Sequence, residues 1–181
     1  MFDTEIVAAH QAAINFSSLL FMMPLSISMA LTIVVGFEVG AKRLRDAIQY
    51  CRFGVGAAVG IIAVTATFLF IFREQVAYLY TDNPDVITLV KQFLIFAMIF
   101  QLSDASQASL QGVLRGYKDV TVPFIIALIS YWLIGMPIGY GLAMLTSLGP
   151  FGFWIGITFG LSCAALGFFV RLKVVQKRTA L

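Results

Sequence analysis

No Asp, Glu, Lys or Arg occurs between Val120 and Val170, and none between Ile6 and Phe37. Charged residues make up 12% of the 181-residue chain, against about 25% in ordinary soluble domains. A water-soluble fold of this size cannot hide the 60% of residues that are hydrophobic, because surface-to-volume scaling leaves too much of a small domain exposed. Cysteine and histidine are equally scarce. Cys51 and Cys163 lie far apart with no metal-like spacing, and His10, the single histidine, has no ligand partner near it in sequence. A disulfide framework and a zinc site are thereby excluded. No nucleophile–base pair, metal-ligand cluster or nucleotide-binding loop stands out, so the sequence reads as neither an enzyme nor the holder of a cofactor. The net charge of +3 does not indicate nucleic acid, because the basic residues sit between apolar runs, where they act as topology signals.

What is present is a series of long apolar runs. Crossing the hydrocarbon core takes roughly 20 apolar residues in a helix. The pattern predicts five spans, at about 6–37, 53–72, 84–114, 120–145 and 151–170, followed by a basic tail at 171–181. The uncharged stretch after Val120 is too long for one span and is divided at Thr146-Ser147-Leu148-Gly149-Pro150, a turn signal. Asn83-Pro84-Asp85 reads as a helix start, with a capping side chain, proline at the first helical position and then an acid. The expected fold class is an all-α integral membrane protein lodged in the lipid bilayer. The first run lacks a basic n-region and is too long for a cleavable signal peptide.

Ten of the twelve Lys and Arg residues fall on one side of this arrangement, leaving Arg73 and Lys91 on the other. The positive-inside rule puts the ten in the cytoplasm, giving a multi-pass protein of the cell membrane with its N-terminus outside and its C-terminus inside. An outside N-terminus without a signal peptide is what a chain shows when one more span precedes it. Glycines four apart (Gly36/Gly40, Gly56/Gly60, Gly112/Gly116, Gly135/Gly139 and Gly152/Gly156/Gly160) predict ridges of small residues where helices pack closely. Pro24 and Pro137 lie inside spans and are candidate hinges, since each removes a backbone hydrogen bond.

Asp104 is the most informative residue. It is the only charge between Lys91 and Arg115, about 15 Å from the cytoplasmic end of its span. Even the milder insertion scales assign about 2.5–3.5 kcal/mol to an aspartate there, so it must face the bundle interior or water. Gln101, Asp104, Gln107 and Gln111 fall at helical steps of three, three and four and are expected on the same face. A polar stripe around a midplane carboxylate fits a pathway for a proton, for Na+ or for a cationic solute. Gln11 and Asn15, one turn apart in the first span, line a cavity or bond a neighbouring helix. Ser17, Ser18, Ser26, Ser28 and Thr32 are expected to bond back to their own helix. Tyr131, Trp132 and Tyr140 are candidates for an aromatic pocket, with Trp154 better placed as a membrane-interface residue.

Ala8-Ala9-His10-Gln11 through Asn15-Phe16-Ser17-Ser18, Phe72-Arg73-Glu74-Gln75, Leu114-Arg115-Gly116-Tyr117-Lys118-Asp119 and Gly152-Phe153-Trp154-Ile155-Gly156 resemble the MATE family of multidrug and toxin extrusion transporters, closest to its NorM-like branch. The resemblance covers nearly the whole chain. It implies spans eight to twelve of a twelve-span transporter, most of the C-terminal six-helix lobe, with the N-terminal lobe as the missing partner. It further implies export of small organic cations and drugs in exchange for Na+ or H+, with Asp104 matching the acid of the tenth span and holding the coupling ion, Na+ included. Gln11 and Asn15 match eighth-span positions that face the drug cavity in some relatives. Some relatives have tyrosine four residues before the acid, where this sequence has Phe100, and the acid of the seventh span is absent. The alternatives are a flippase for lipid-linked precursors or polysaccharides, which would want a basic cavity, and a non-transporting membrane subunit or remnant.

Overall fold

The computed structural model describes residues 4–179. Helices α1 (Thr4–Gly40), α2 (Leu44–Tyr78) and α3 (Pro84–Gly116) are followed by α4 (Thr121–Leu128), a π-helical stretch (Ile129–Gly135), α5 (Met136–Leu145) and α6 (Phe151–Thr179). With α4, the π stretch and α5 taken as one rod, five helices are long and apolar enough to cross a membrane. They run past the apolar cores predicted for them: α2 takes in the charged flanks of its 53–72 core, and the expected tail 171–181 is helical to Thr179. Apolar content marks where lipid contacts the chain, but backbone hydrogen bonding carries each helix on into the interface. The last two residues of that tail lie outside the described residues.

Local chemistry sets the ends. The Asn83 side chain accepts the Asp85 backbone N–H at 3.0 Å, with Pro84 at the first helical position, as the sequence predicts. Helices α1 and α3 end alike. Lys42 and Lys118 both sit at φ 60°, and the next residues, Arg43 and Asp119, donate back to the carbonyls of Glu38 (2.9 Å) and Leu114 (3.0 Å). This is a helix-ending motif that ordinarily uses glycine, here formed with lysine.

Helix α3 is the centre, packed by α1, α2 and α6, while the α4–α5 rod packs mainly on α6. One cluster of buried side chains gathers Ala9, Ala13, Phe93, Leu94, Ala97 and Trp154. A second, at the other end of α3, gathers Leu31, Val35, Val113, Leu114 and Phe168. The outer surface shows Phe53, Ile33 and Leu133, each at least 70% exposed, which suits lipid and would aggregate in water.

Lipid tails are as apolar as leucine, so close packing and interhelical hydrogen bonds hold such helices together. Gly36 meets Gly116 where α1 crosses α3, and Gly112 lies against the Ser28 backbone. Gly152, Gly156 and Gly160 of α6 form a ridge that meets Gly135, Gly139 and Ala143. The prediction fails at Gly40, Gly56 and Gly60, where a β-carbon would have nothing within 4 Å. Spacing puts glycines on one face but does not say whether a helix lies opposite.

The serines also divide. Ser26 bonds the Met22 carbonyl (2.8 Å) in its own helix. Ser28 instead donates across to the Ala108 carbonyl of α3 at 2.6 Å, and Thr32 reaches both Ser28 and Gly112 carbonyls at 3.0 Å. The glycine at 112 brings α3 close enough for these cross-helix bonds. The prolines behave differently from each other. Helix α1 continues unbroken through Pro24. Pro137 lies two residues past the π stretch, whose capping residue Met136 donates its N–H to the Tyr131 carbonyl. The wider turn accommodates the donor that Pro137 lacks.

Candidate functional site

The site is built on α3. Asp104 lies twelve residues before the end of α3 at Gly116, about 18 Å along the axis. The ion pairs among the described residues are Glu38–Arg43, Glu74–Lys91 and Asp119–Arg171, so the Asp104 carboxylate has no counter-charge. It opens instead onto two cavities. The larger, about 560 Å³, lies between α3, the α4–α5 rod and α6, walled by Phe100, Tyr131, Trp132 and Phe153 around Asp104. The smaller, about 250 Å³, lies between α1, α3 and α6 and is lined by His10, Ser17, Ser18, Trp154 and again Asp104. Phe100 and Ile157 border both and stand with Asp104 between them.

Both cavities owe their shape to the packing described above. The glycine ridge of α6 lets α5 and the π stretch approach, and the wider π turn carries Tyr131 and Trp132, which line the larger cavity. Aromatic faces attract cations, by about 0.5–2 kcal/mol each depending on exposure to water. A lone carboxylate among such rings, with no Lys or Arg in either lining, is an arrangement for positive charge.

The structure separates the residues expected to share a stripe with Asp104. Gln101 is 2% exposed, and both polar atoms of its amide lack a hydrogen-bond partner. Gln107 is buried too, and neither borders the two cavities. Gln111 borders a different cavity with Arg115, from which it accepts a hydrogen bond at 3.2 Å. The reason is geometric: three residues advance a helix by about 300°, so each step of three drifts some 60° around the axis. Phe100, four residues before Asp104, is the neighbour that stays with it. Gln11 and Asn15 are exposed on α1 outside both cavities, with Asn15 accepting from the Tyr80 hydroxyl at 3.2 Å. Tyr140 is 61% exposed and borders neither.

Trp154 is a correction. It is 5% exposed, not an interface residue, and its indole Nε1–H donates to His10 Nδ1 at 3.1 Å. The partners are 144 positions apart in the chain, and nothing local to either announces the bond.

Known proteins share this arrangement of helices. The family model described as MatE matches residues 1–141. Over 177 residues the chain is 55% identical to the probable multidrug resistance protein NorM of Bacillus subtilis, spanning 98% of this chain and 39% of the relative. The probable multidrug resistance protein NorM of Bacillus licheniformis is 54% identical with the same coverage. In fold the chain is similar to the crystal structure of the eukaryotic MATE transporter AtDTX14, with a TM-score of 0.87 at 22% identity over 97% of this chain and 41% of that one. The chain thus spans about 39% of the length of these curated relatives. By its helices and by these matches, the chain belongs to the MatE family, whose members here are membrane proteins named for multidrug resistance.

Proposed function

We propose that this chain is the greater part of one lobe of a secondary exporter of drugs and organic cations, driven by Na+ or H+ antiport, and that Asp104 binds the coupling ion. The observation that carries this reading is the position of Asp104, unpaired and shared between a larger aromatic cavity and a smaller one that also holds His10, Ser17 and Ser18. A carboxylate there can hold a proton, Na+ or the cationic drug, but not two of them well. Ion and drug then favour opposite-facing states of the lobes, which is the requirement for exchange. A second lobe supplies the opposite wall. The larger cavity, whose lining is almost wholly apolar apart from Asp104, suits flat, lipophilic cations. A flippase handling pyrophosphate would want lysine or arginine here, and the two linings contain neither.

The proposal includes an orientation. The α1–α2 turn, the α3–α4 turn and the end of α6 fall at one end of the bundle, and ten of twelve basic residues cluster there, so that end is cytoplasmic. A cysteine placed at Arg45 is expected to resist a membrane-impermeant maleimide added outside, and one placed at Asp82 to react. The reverse pattern would invert the topology.

Expressed by itself in cells lacking related exporters, this chain is expected to insert but to give no ethidium export, because half of the cavity wall is absent. Ethidium export by the chain alone would sink the single-lobe reading and favour a symmetric dimer.

A further inference from the structure

His10 is the one histidine of the chain, and the coupling mechanism proposed above does not use it. Its surroundings are unusual for a membrane helix. Its imidazole meets the Trp154 ring edge-on at 5.7 Å and the Phe93 ring at 5.7 Å. Trp154 in turn meets Phe100 edge-on at 5.6 Å, and Phe100 stands between the two cavities beside Asp104. Phe93, Phe96 and Phe151 complete a continuous aromatic stack. Trp154 also sits on the stretch of α6 whose other face is the glycine ridge against α5.

The hydrogen bond between Trp154 and His10 has a fixed polarity. Indole Nε1–H only donates, so His10 Nδ1 must carry a lone pair. The neutral imidazole with its proton on Nε2 meets that demand. The imidazolium, a donor at both nitrogens, does not. Protonation therefore forbids the bond and places two N–H groups face to face.

The geometry points to His10 as a positioning residue for the Asp104 site. When neutral it holds Trp154, and through Trp154 the Phe100 wall between the cavities. When protonated it releases both. On the proposed topology His10 lies toward the outer face, so acidity outside would loosen the wall. This inference rests on the reading of Asp104 as the coupling site. Other charged groups do not stand in for it. Helix α6 carries none before Arg171. Lys91 of α3 is paired with Glu74 of α2 at 3.4 Å, and Arg73 of α2 lies over Phe70. Glu5 is five residues before His10 on α1, on a different face of the helix, and Asp104 is the one Asp, Glu, Lys or Arg that lines the same cavity.

The chain has two tryptophans, so a Trp132→Phe background makes Trp154 its only indole. The full chain in lipid nanodiscs, scanned from about pH 4 to 8 where imidazoles titrate, is expected to show one step in indole emission. Acrylamide quenching should rise through the same step as Trp154 is released. His10→Gln keeps an acceptor that cannot be protonated and should lose the step while retaining the neutral-pH spectrum. Asp104→Asn should keep the step. In the complete transporter, His10→Gln should lose the change in export of an organic cation such as ethidium that acidification causes in the native protein. Trp154→Phe, which keeps a ring and removes the N–H, should lose that change as well. A step that survives His10→Gln, or that disappears with Asp104→Asn, overturns the assignment. Equal loss of export at every pH in both His10→Gln and Trp154→Phe would also overturn it, by showing a merely structural role. Failure of the Asp104 reading would look different, since the emission step would persist while Asp104→Asn still exported.

Discussion

Asp104→Asn is expected to end cation-driven drug export in a complete transporter that carries this segment, with insertion and expression unchanged. Asparagine keeps the volume of the side chain and can still hydrogen-bond into either cavity. It can neither release a proton nor balance Na+. An ion shifts a two-state equilibrium only through its differential affinity for the two states, and without the charge that difference vanishes. Couplings between sites reach about 3 kcal/mol, so export should fall by up to about 150-fold, to near the level of cells without the transporter. Gln101→Ala and Gln107→Ala should cost far less, since both amides are buried away from the cavities. Ethidium efflux from loaded cells reads all three variants. Unimpaired efflux by the Asn variant would make Asp104 a residue that only bonds neighbouring helices.

Gly156→Val is expected to have the largest effect on the fold. A β-carbon at Gly156 would run into the Gly139 backbone and lie 2.6 Å from the Gly135 carbonyl oxygen. These are backbone atoms of the α4–α5 rod, which cannot turn aside as a flexible side chain can. Overpacking typically costs about 1–3 kcal/mol where side chains yield, so a clash with backbone should reach or exceed the top of that range. The rod packs mainly on α6, so it should be displaced and take Tyr131 and Trp132 away from Asp104. Gly60→Ala is the control. Nothing lies within 4 Å of that position, and alanine is the better helix former by about 1 kcal/mol. Thermal unfolding in detergent should show a large loss for Gly156→Val and none for Gly60→Ala. Equal effects would mean that the glycine ridge is not what holds the rod.

The spans are legible in the sequence because a bilayer imposes one length and one chemistry on whatever crosses it. Asp104 is legible for the same reason, as an isolated acid in an apolar helix announces itself. The Asn83 cap and the break at Gly149-Pro150 are local signals and read directly. What the sequence hides is which faces meet. Gly56 and Gly60 share the spacing of Gly152 and Gly156, yet only the second pair has a helix opposite. Gln101 and Gln107 are near Asp104 in sequence, but the drift of the helix turns them into packed interfaces. Ser28 bonds the Ala108 carbonyl of α3, 80 residues away, because Gly112 faces it. Trp154 reads as an interface anchor from its place near the start of a span, and only the packing of α1 against α6 reveals His10 as its partner.

The most direct measurement of the central claim is ion movement driven by drug in proteoliposomes containing the complete transporter. An outward ethidium gradient, with a pH-sensitive dye or ²²Na+ inside or outside as reporter, should drive H+ or Na+ the opposite way in the native protein. The Asp104→Asn protein should move no ion in response to the drug. Drug-driven ion movement of native size in the Asn protein would contradict the account and place the coupling site elsewhere in the transporter.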